Sequence, residues 1–590
     1  MRSINKTILC FVCHITLLIS INLSAQNRIL VDGFFDDWDD KPEIYTDQNG
    51  DGGDSDIDFG TLKVYNDDDF FFFYLEVGIE INLQSDFDVT LYIDGDNNTS
   101  TGEAVNGIGA ELKYNLGARE GEIFLTGSTF DIGHNDVGIL NAPTVTSNVF
   151  EIAVRRNLSF FEVPLFSSNQ ISIAFLDGVN GDELPGNNDL VNYTVSSDEQ
   201  DALPSYSISK SADIDLRILS YNVLFNSIFD SEKEPAYTRI LNAIQPDIIG
   251  FQEIYDFNSA QVAAQVESMI PAENGEEWHH AQAGSSDNHV ISKHPIIEDY
   301  IIEGSGSSVN GAFLIDISNI DEPLLFIVAH TPCCGNNEGR QIEIDAIMAF
   351  VRDAKAGVGP LSLPINSPII IIGDMNLVGY KQQLETLLTG DIINSEDFGS
   401  DFMPDWDGSD FVDARPYTSN LPMNFTWYDE GSSFSPGRLD FNVFSGSVLS
   451  LENSFSLFTP ALPEDSLATN TLLVTDVVVA SDHLPQVCDF KLLIADDISE
   501  SLIDDFEINV FPNPSTCQFN VDFELKNRTV VNIEILDLSG KLIQKIIHQE
   551  LDAGSQLIPF NLKSISNENY LLNITINGTS ITHNLILIKP

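Results

Sequence analysis

The sequence is poor in basic residues. Lys and Arg together number 27, against 90 Asp and Glu, which gives a formal net charge of −63. Tight, non-specific nucleic-acid binding depends on Lys and Arg that neutralise phosphates, so this composition disfavours a protein of that class. An acidic surface instead attracts divalent cations. Adaptation to a salty medium, in which negative charge keeps proteins soluble, explains the same composition equally well.

Cysteine is also scarce, with six residues among 590. Cys10 and Cys13 fall within the N-terminal apolar run, and the other four are too few for a disulfide framework in a protein of this size. Cys333 and Cys334 are adjacent in sequence. A local disulfide, a soft-metal site and two ordinary loop thiols are all open for this pair.

Long apolar runs are absent apart from one, at residues 8–23. Arg2 and Lys6 precede it, and it closes on Ser24-Ala25. The run is interrupted by polar residues and is short for a membrane span, so we predict a signal peptide at residues 1–25. We therefore expect a secreted protein without a transmembrane anchor.

Turn and strand patterns divide the remaining chain into three predicted domains. Residues 26–198 hold short apolar segments separated by Asn, Asp and Gly turns, the pattern of a β-sandwich. A polar linker at 199–212 precedes residues 213–495, where strand-like and helix-like runs alternate as in an α/β domain. An acidic linker at 496–506 leads to a small β-rich domain at 507–590.

Six short stretches of the α/β domain carry the acids, amides and imidazoles that metal-assisted phosphate hydrolysis requires. They are Ser220-Tyr221-Asn222, Gly250-Phe251-Gln252-Glu253, Ala329-His330-Thr331, Gly373-Asp374-Met375-Asn376, Arg438-Leu439-Asp440-Phe441 and Ser481-Asp482-His483. Several directly follow predicted strands, where α/β folds place their sites. Each stretch alone is more typical of a turn, a helix cap or a surface ion pair. Together they predict a phosphoester hydrolase.

The residue chemistry suggests a role for most of these side chains. Glu253 is a hard-metal ligand, and Asn222 either orients it or contacts the metal. Asp374 and Asn376 lie two apart on an extended segment and point to the same side. That arrangement suits an acid that positions a water beside an amide that holds a phosphate oxygen.

Two imidazoles complete the predicted site. His483 can take a proton near neutral pH, and Asp440 is the partner that would fix its ring tautomer. His330 would donate to a non-bridging phosphate oxygen and stabilise the charge that develops there.

On these motifs residues 213–494 resemble the endonuclease/exonuclease/phosphatase superfamily, the DNase I-like fold, and Ser292-Lys293-His294-Pro295 adds a further match. The resemblance implies a four-layer α/β sandwich that cleaves phosphoester bonds with Mg²⁺ or Mn²⁺. It implies that Glu253, with Asn222 and Asp482, holds the ion. A water is then deprotonated by His483 with Asp440 behind it, or by Asp374, while His330 and Asn376 stabilise the oxyanion.

The chain departs from the family where many members carry an Arg and this sequence has Asn310. Arg340 is a candidate replacement for that phosphate contact, with an ordinary helix ion pair as the alternative. The first hypothesis for the substrate is a nucleic acid, cleaved by a nuclease-like phosphodiesterase. Phospholipase C or sphingomyelinase-type activity, phosphomonoesterase activity and a non-catalytic binding or adhesion protein are the alternatives.

The flanking domains carry motifs of their own. Asp94, Asp96 and Asn98 alternate in a tight turn, which predicts a structural Ca²⁺ site. Over most of residues 28–195, motifs such as Tyr92-Ile93-Asp94-Gly95-Asp96 resemble the β-sandwich of family 9 carbohydrate-binding modules. The resemblance implies a carbohydrate partner, and an inert spacer is the alternative. The stretch Phe511-Pro512-Asn513-Pro514 and the closing Lys589 make residues 505–590 similar to the sorting domain that type IX secretion machinery reads.

Overall fold

The structure is a computed structural model that describes residues 27–493 and 508–586, with gaps at 54, 179–180, 187–188, 199, 273–276, 305–308, 318–321, 516–517, 526–527, 537–540, 552, 563–568 and 577–578. The predicted signal peptide, the acidic linker at 496–506 and Lys589 lie outside the described residues. The chain forms two compact units, Met1–Leu492 and Leu493–Pro590.

In the described residues, the N-terminal part of the first unit consists of antiparallel strands, a 3-10 helix at Asp36–Trp38 and one short α-helix. The strands are β1 Glu43–Thr46, β2 Thr61–Asn66, β3 Phe70–Ile81, β4 Val89–Asp94, β5 Glu103–Val105, β6 Ile108–Ala110, β7 Leu112–Asn115, β8 Glu120–Leu125, β9 Ser128–Ile132, β10 Leu140–Ala142, β11 Ser147–Arg155, β12 Ser159–Phe160, β13 Val163–Pro164, β14 Gln170–Asp177, β15 Glu183–Leu184 and β16 Val191–Thr194, and the helix is α1 His134–Val137.

Two of these sheets pack face to face. One has the order β1-β2-β3-β11-β10, and the other has the order β15-β14-β4-β7-β8-β9 with β16 on β14. Phe73 of the first sheet meets Phe175 of the second with ring centroids 6.1 Å apart. Apolar side chains from both sheets fill the space between them. The predicted N-terminal β-sandwich is confirmed.

The catalytic part begins at β17 and alternates strands with helices. Its elements are β17 Leu216–Asn222, α2 Glu234–Ile244, β18 Ile248–Gln252, α3 Ser259–Met269, β19 His279–Gln282, β20 His289–Ser292, β21 Ile296–Glu303, β22 Val309–Ile315, β23 Leu324–His330, α4 Asn337–Ala356, β24 Ile369–Asp374, α5 Lys381–Thr389, α6 Ser395–Phe398, β25 Val412–Asp413, β26 Asp440–Phe444, β27 Leu449–Ser456, α7 Glu464–Thr469, α8 Asp476–Ala480 and β28 Gln486–Leu492.

Two six-stranded sheets form the centre of this part, in the orders β19-β20-β18-β17-β28-β27 and β21-β22-β23-β24-β26-β25. Strand β24 shows how the sequence builds the layers. Ile370 and Ile372 point into the core between the sheets, while Ile369 and Ile371 face the outer core that contains helix α4. Alternate side chains of a strand take opposite faces, so four consecutive isoleucines require cover on both sides.

Helices α2 and α3 cover the other sheet on its outer face. The result is a helix–sheet–sheet–helix sandwich, so the predicted four-layer α/β fold is confirmed. The two sheets approach closely at Gly250, where an added Cβ would lie 2.5 Å from Ile372 Cδ1.

The N-terminal sandwich and the catalytic part share a buried apolar cluster, which we call the interface core. Its members are Ile29, Val31, Trp38, Tyr65, Phe70, Phe72, Leu140, Ala142 and Ala153 from the N-terminal side, and Met423, Phe425, Phe458, Val477 and Leu484 from the catalytic side. Backbone hydrogen bonds join the two parts as well, from Val31 N to Pro422 O at 2.9 Å and from Asn424 N to Val31 O at 3.0 Å. The segment predicted as a linker is also packed, because Ile208 is buried in the catalytic part.

The second compact unit contains β29 Asn509–Phe511, β30 Gln518–Leu525, β31 Thr529–Leu536, β32 Leu542–Leu551, β33 Gly554–Asn561, β34 Asn569–Ile576 and β35 Thr579–Ile586. They form a three-stranded sheet, β29-β30-β33, and a four-stranded sheet, β32-β31-β34-β35. Phe519, Val521, Ile533 and Leu572 are among the residues of their shared core. The small C-terminal β domain is therefore as predicted.

Candidate active site

Four strands deliver the predicted site residues to one edge of the catalytic part. Strands β17 and β18 run parallel, as do β23 and β24. Asn222, His330 and Asp374 are the last residues of β17, β23 and β24, and Glu253 directly follows β18. Buried apolar residues hold the strands in the two sheets. The polar residues at the carboxyl ends of these strands therefore face the same crevice.

Asp374 lies at the centre of this edge. Its Oδ2 accepts a hydrogen bond from Asn222 Nδ2 at 3.1 Å, and the same amide donates to Glu253 Oε1 at 3.0 Å. Asp374 Oδ2 also lies 3.6 Å from His483 Nε2 and 3.8 Å from His330 Nε2. Two carboxylates, an amide and two imidazoles therefore surround one small space.

His483 is oriented by a chain of buried groups. Its Nδ1 lies 2.9 Å from Asp440 Oδ2, and Thr426 Oγ1 donates to the same oxygen at 2.6 Å. A buried acid at Nδ1 fixes the orientation of the ring and leaves Nε2 to exchange a proton with a ligand. Burial alone would lower the pKa of His483, but the charges of Asp440 and Asp374 outweigh that effect and raise the pKa to about 10.

His330 has a partner that the sequence did not reveal. Its Nδ1 lies 2.6 Å from Asp287 Oδ2, and its backbone N–H donates to Asn310 Oδ1 at 3.0 Å. Burial opposes protonation of the ring, yet the hydrogen bond with Asp287 and the charge of Asp374 raise the pKa of His330 to about 9. Asn310, at the departure from the family pattern, thus supports the His330 backbone.

Asn376 and Asp482 are held at the border of the site. Asn376 has a left-handed backbone, with a φ of 47°, and its Nδ2 donates to Thr331 O at 2.9 Å. Asp482 Oδ2 accepts a hydrogen bond from Trp427 Nε1 at 3.0 Å. Two groups of potential metal ligands in the site each have all their ligand atoms within 4.8 Å of one another. Among the described residues, neither group includes Asp482.

Arg340 lies inside the protein. Its Nη1 donates to Pro332 O at 2.7 Å and to Cys334 O at 3.1 Å, and its Nε donates to Gln383 Oε1 at 3.1 Å. Cys333 and Cys334 are joined in a disulfide. Arg340 thus braces the loop that follows His330. Its contact with a phosphate stays a prediction, and this arrangement does not favour it.

The donor set fits a hard divalent cation. Glu253, His330 and Asp374 form one group of potential ligands, and Asp374, Asp440 and His483 form a second. Asp440 Oδ1 is buried with no hydrogen-bond partner among the described residues. Sets rich in carboxylate oxygens are typical of Mg²⁺ and Mn²⁺ sites.

Fold and site together define a metal-dependent phosphoric ester hydrolase. Residues 219–483 match the model of the Endonuclease/Exonuclease/phosphatase family. The chain therefore carries a catalytic domain of that superfamily. A comparison with curated proteins gives no significant match.

Several solved structures are similar to the chain. The human nocturnin catalytic domain with bound sulfate shares 15% identity, with 47% of this chain and 94% of that chain covered at a TM-score of 0.30. TDP2 from C. elegans shares 15% identity, with 47% of this chain and 74% of that chain covered at a TM-score of 0.31. Sphingomyelinase C from Streptomyces griseocarneus shares 14% identity, with 46% of this chain and 98% of that chain covered at a TM-score of 0.29.

Residues 509–589 match the model of the Secretion system C-terminal sorting domain. This domain marks the protein for secretion or display at the cell surface by the type IX system. Within the described residues, no helix is both long and apolar enough to cross a membrane.

Proposed function

We propose that the protein is a secreted phosphodiesterase that is nuclease-like and uses Mg²⁺ or Mn²⁺. The observation that carries this proposal is the position of Asp374, whose Oδ2 is within 4 Å of Asn222, His330 and His483 side-chain nitrogens. A phosphate bound there would meet amide and imidazole donors and a carboxylate-held cation at the same time. Such convergence is what in-line hydrolysis of a phosphodiester requires.

Each side chain has a separate task in this proposal. Glu253 and Asp374 would hold the cation, with Asn222 orienting both carboxylates through its Nδ2 and with Asp482 nearby. When bound, the cation supplies Lewis-acid polarisation of the phosphate and stabilises the leaving oxygen. A bound cation would offset the charge of Asp374 that raises the pKa of His483, and Nε2 of the neutral ring would then accept the proton of the attacking water while Asp440 holds Nδ1. His330 and Asn376 would donate to the phosphate oxygens.

Hydrolysis of bis-p-nitrophenyl phosphate tests the proposal. The full chain is assayed with Mg²⁺, with Mn²⁺ and with EDTA, beside His483→Ala and Glu253→Ala. We expect turnover that requires metal and falls by at least about 100-fold in both variants, because general-base and metal contributions are of that size. His280→Ala is the matched control, since His280 is exposed and its Nδ1 bonds to Ser259 of helix α3, which is not a candidate site residue.

Wild-type turnover that persists in EDTA would contradict a metal-dependent site. A panel of DNA, RNA, sphingomyelin vesicles and p-nitrophenyl phosphate then separates the nuclease from the phospholipase C-type enzyme and the phosphomonoesterase. If no member of the panel is cleaved, the non-catalytic binding or adhesion protein is the better account.

We also propose a structural Ca²⁺ in the N-terminal sandwich, held by Asp94, Asp96, Asn98 and Glu111, which we call the calcium cluster. Carboxylate oxygens of its three acids lie within 4.8 Å of one another, and Glu111 Oε1 is buried with no hydrogen-bond partner in the part of the chain that the structure describes. Burial, with the charges of the two aspartates, raises the pKa of Glu111 to about 7. A bound cation would satisfy these oxygens. Carbohydrate binding by this domain stays a prediction.

A further inference from the structure

Two aromatic side chains stand exposed beside the candidate active site. Phe225 is 69% exposed and Tyr255 is 50% exposed. Their ring centroids lie 5.8 Å apart, and the ring planes are tilted by 34°. We call this pair the aromatic platform. Large aromatic side chains at a catalytic edge leave apolar faces in water, which costs free energy unless a ligand covers them.

The backbone that presents the platform is strained. Leu224, Phe225 and Asn226 have φ values of 43°, 49° and 63°, and Glu253 has a φ of 64°. Non-glycine residues rarely adopt this left-handed conformation, and consecutive examples persist only where the surrounding structure enforces them. Such strain clusters at ligand-binding positions.

Hydrogen bonds enforce the strained conformation. Asn226 N donates to Glu253 O at 2.9 Å, and Tyr255 N donates to Asn226 Oδ1 at 2.7 Å. Asn226 Nδ2 donates to Asp256 Oδ2 at 3.0 Å. The loop after β17 and the loop after β18 are thereby locked together, and the two rings have a defined separation before any ligand arrives.

The platform directly adjoins the metal-binding and proton-transfer residues. Phe225 N donates to Glu253 Oε2 at 3.0 Å. Burial and the nearby charge of Asp287 raise the pKa of the Tyr255 hydroxyl, and Asp287 in turn holds the His330 ring. One edge of the platform is therefore tied to a candidate metal ligand, and the other lies near the carboxylate that holds the candidate oxyanion donor.

We propose that the aromatic platform stacks a nucleobase of the substrate next to the scissile phosphate. This rests on the proposed phosphodiesterase function and names its substrate class. Base–aromatic stacking is tolerant of base identity, because every base has a π-face. The formal charge of −63 repels long polyanions, so the fitting substrate is a mononucleotide ester or a short, single-stranded end. A lipid surface fits less well, because inserting the rings among acyl chains would also take the exposed carboxylate of Asp256 out of water.

Two diesters with the same leaving group test the proposal. The full chain is assayed on thymidine 5′-(p-nitrophenyl phosphate) and on methyl p-nitrophenyl phosphate, which lacks a base. We expect Phe225→Ala to lower kcat/KM for the thymidine ester by roughly 5- to 150-fold, mainly through KM, as the loss of one base stack does. The methyl ester should change by less than about twofold, because its hydrolysis makes no use of the stack.

Three further variants sharpen the result. Phe225→Trp keeps a flat ring and should retain the preference for the thymidine ester. Tyr255→Leu removes the second ring and should repeat the selective loss. Phe161→Ala is the matched control, since Phe161 is 76% exposed in the N-terminal sandwich, and it should leave both esters unchanged.

An equal loss on both esters in Phe225→Ala would overturn the proposal, because the ring would then act by positioning Glu253. Equal wild-type kcat/KM for the two esters would overturn it as well, and so would selective loss of sphingomyelin-vesicle hydrolysis. If the wild type cleaves neither ester, the proposed function fails separately. Calorimetric binding of thymidine 5′-monophosphate against ribose 5-phosphate then decides on the platform, and equal affinities would refute it.

Discussion

Removing the N-terminal sandwich should lower the free energy of unfolding of the catalytic part. The interface core takes five apolar side chains from the catalytic side: Met423, Phe425, Phe458, Val477 and Leu484. All are at most 7% exposed. Full burial of such a side chain contributes roughly 1.5–3 kcal/mol, so losing all five burials costs about 8–15 kcal/mol as an upper bound.

Part of that burial comes from neighbours within the catalytic part, so we take about half, roughly 4–7 kcal/mol. A domain is stable by only about 5–15 kcal/mol in total. Because a loss of about 4–7 kcal/mol is a large share of that total, a fragment of residues 200–492 should have a much lower urea midpoint and soluble yield than residues 27–492. The assay compares soluble yield, urea midpoint and diesterase activity of the two fragments.

A point variant tests the same reasoning within the intact protein. Met423→Asp places a charge in the interface core and should lower the urea midpoint strongly, because an unpaired buried charge is costly. Met403→Asp is the matched control, since Met403 is 54% exposed. A fragment of residues 200–492 that is monomeric, with the same midpoint and activity as the longer one, would refute the interface argument.

Three further predictions concern single carboxyl groups. Burial, together with the charge of Asp32, raises the pKa of Asp37 to about 7, so its stabilising contribution is complete below about pH 4 and is lost by about pH 7. Asp37→Asn should remove up to roughly 3 kcal/mol of this pH dependence between pH 5 and pH 8, read from urea midpoints at the two pH values. Ca²⁺ should raise the Tm of the wild type and not that of Glu111→Gln, whereas equal shifts would exclude the calcium cluster. Asp440→Asn should lower kcat roughly 100- to 10,000-fold with little change in KM, because His483 loses its orienting acceptor; an unchanged kcat would assign His483 another role.

Residues at strand ends could be predicted from the sequence because local patterns mark them. Four isoleucines followed by Gly373-Asp374 predict a buried strand that ends at a polar residue. In the structure, β24 ends at Asp374. The same holds for Asn222 and His330. Sequence reasoning works here because a strand's burial and its end are properties of neighbouring residues.

The partners of those residues could not be predicted in the same way. Asp287, which holds His330, lies in a Ser-Ser-Asp-Asn turn that is indistinguishable from an ordinary solvated turn. Its role depends on a contact across 43 residues of sequence. The Phe225–Tyr255 platform was equally hidden, because exposure and left-handed backbone are set by the tertiary hydrogen bonds of Asn226 and Glu253.

The alternation of side chains along one strand indicates that the N-terminal sandwich packs against another part of the chain. Residues 70–73 are four consecutive phenylalanines. In β3, Phe71 and Phe73 fill the core of the sandwich, while Phe70 and Phe72 face the interface core. An antiparallel strand with one face in water alternates apolar and polar residues, so a strand apolar on both faces demands a second cover. The catalytic part supplies that cover, and the N-terminal sandwich therefore acts as part of the folded enzyme.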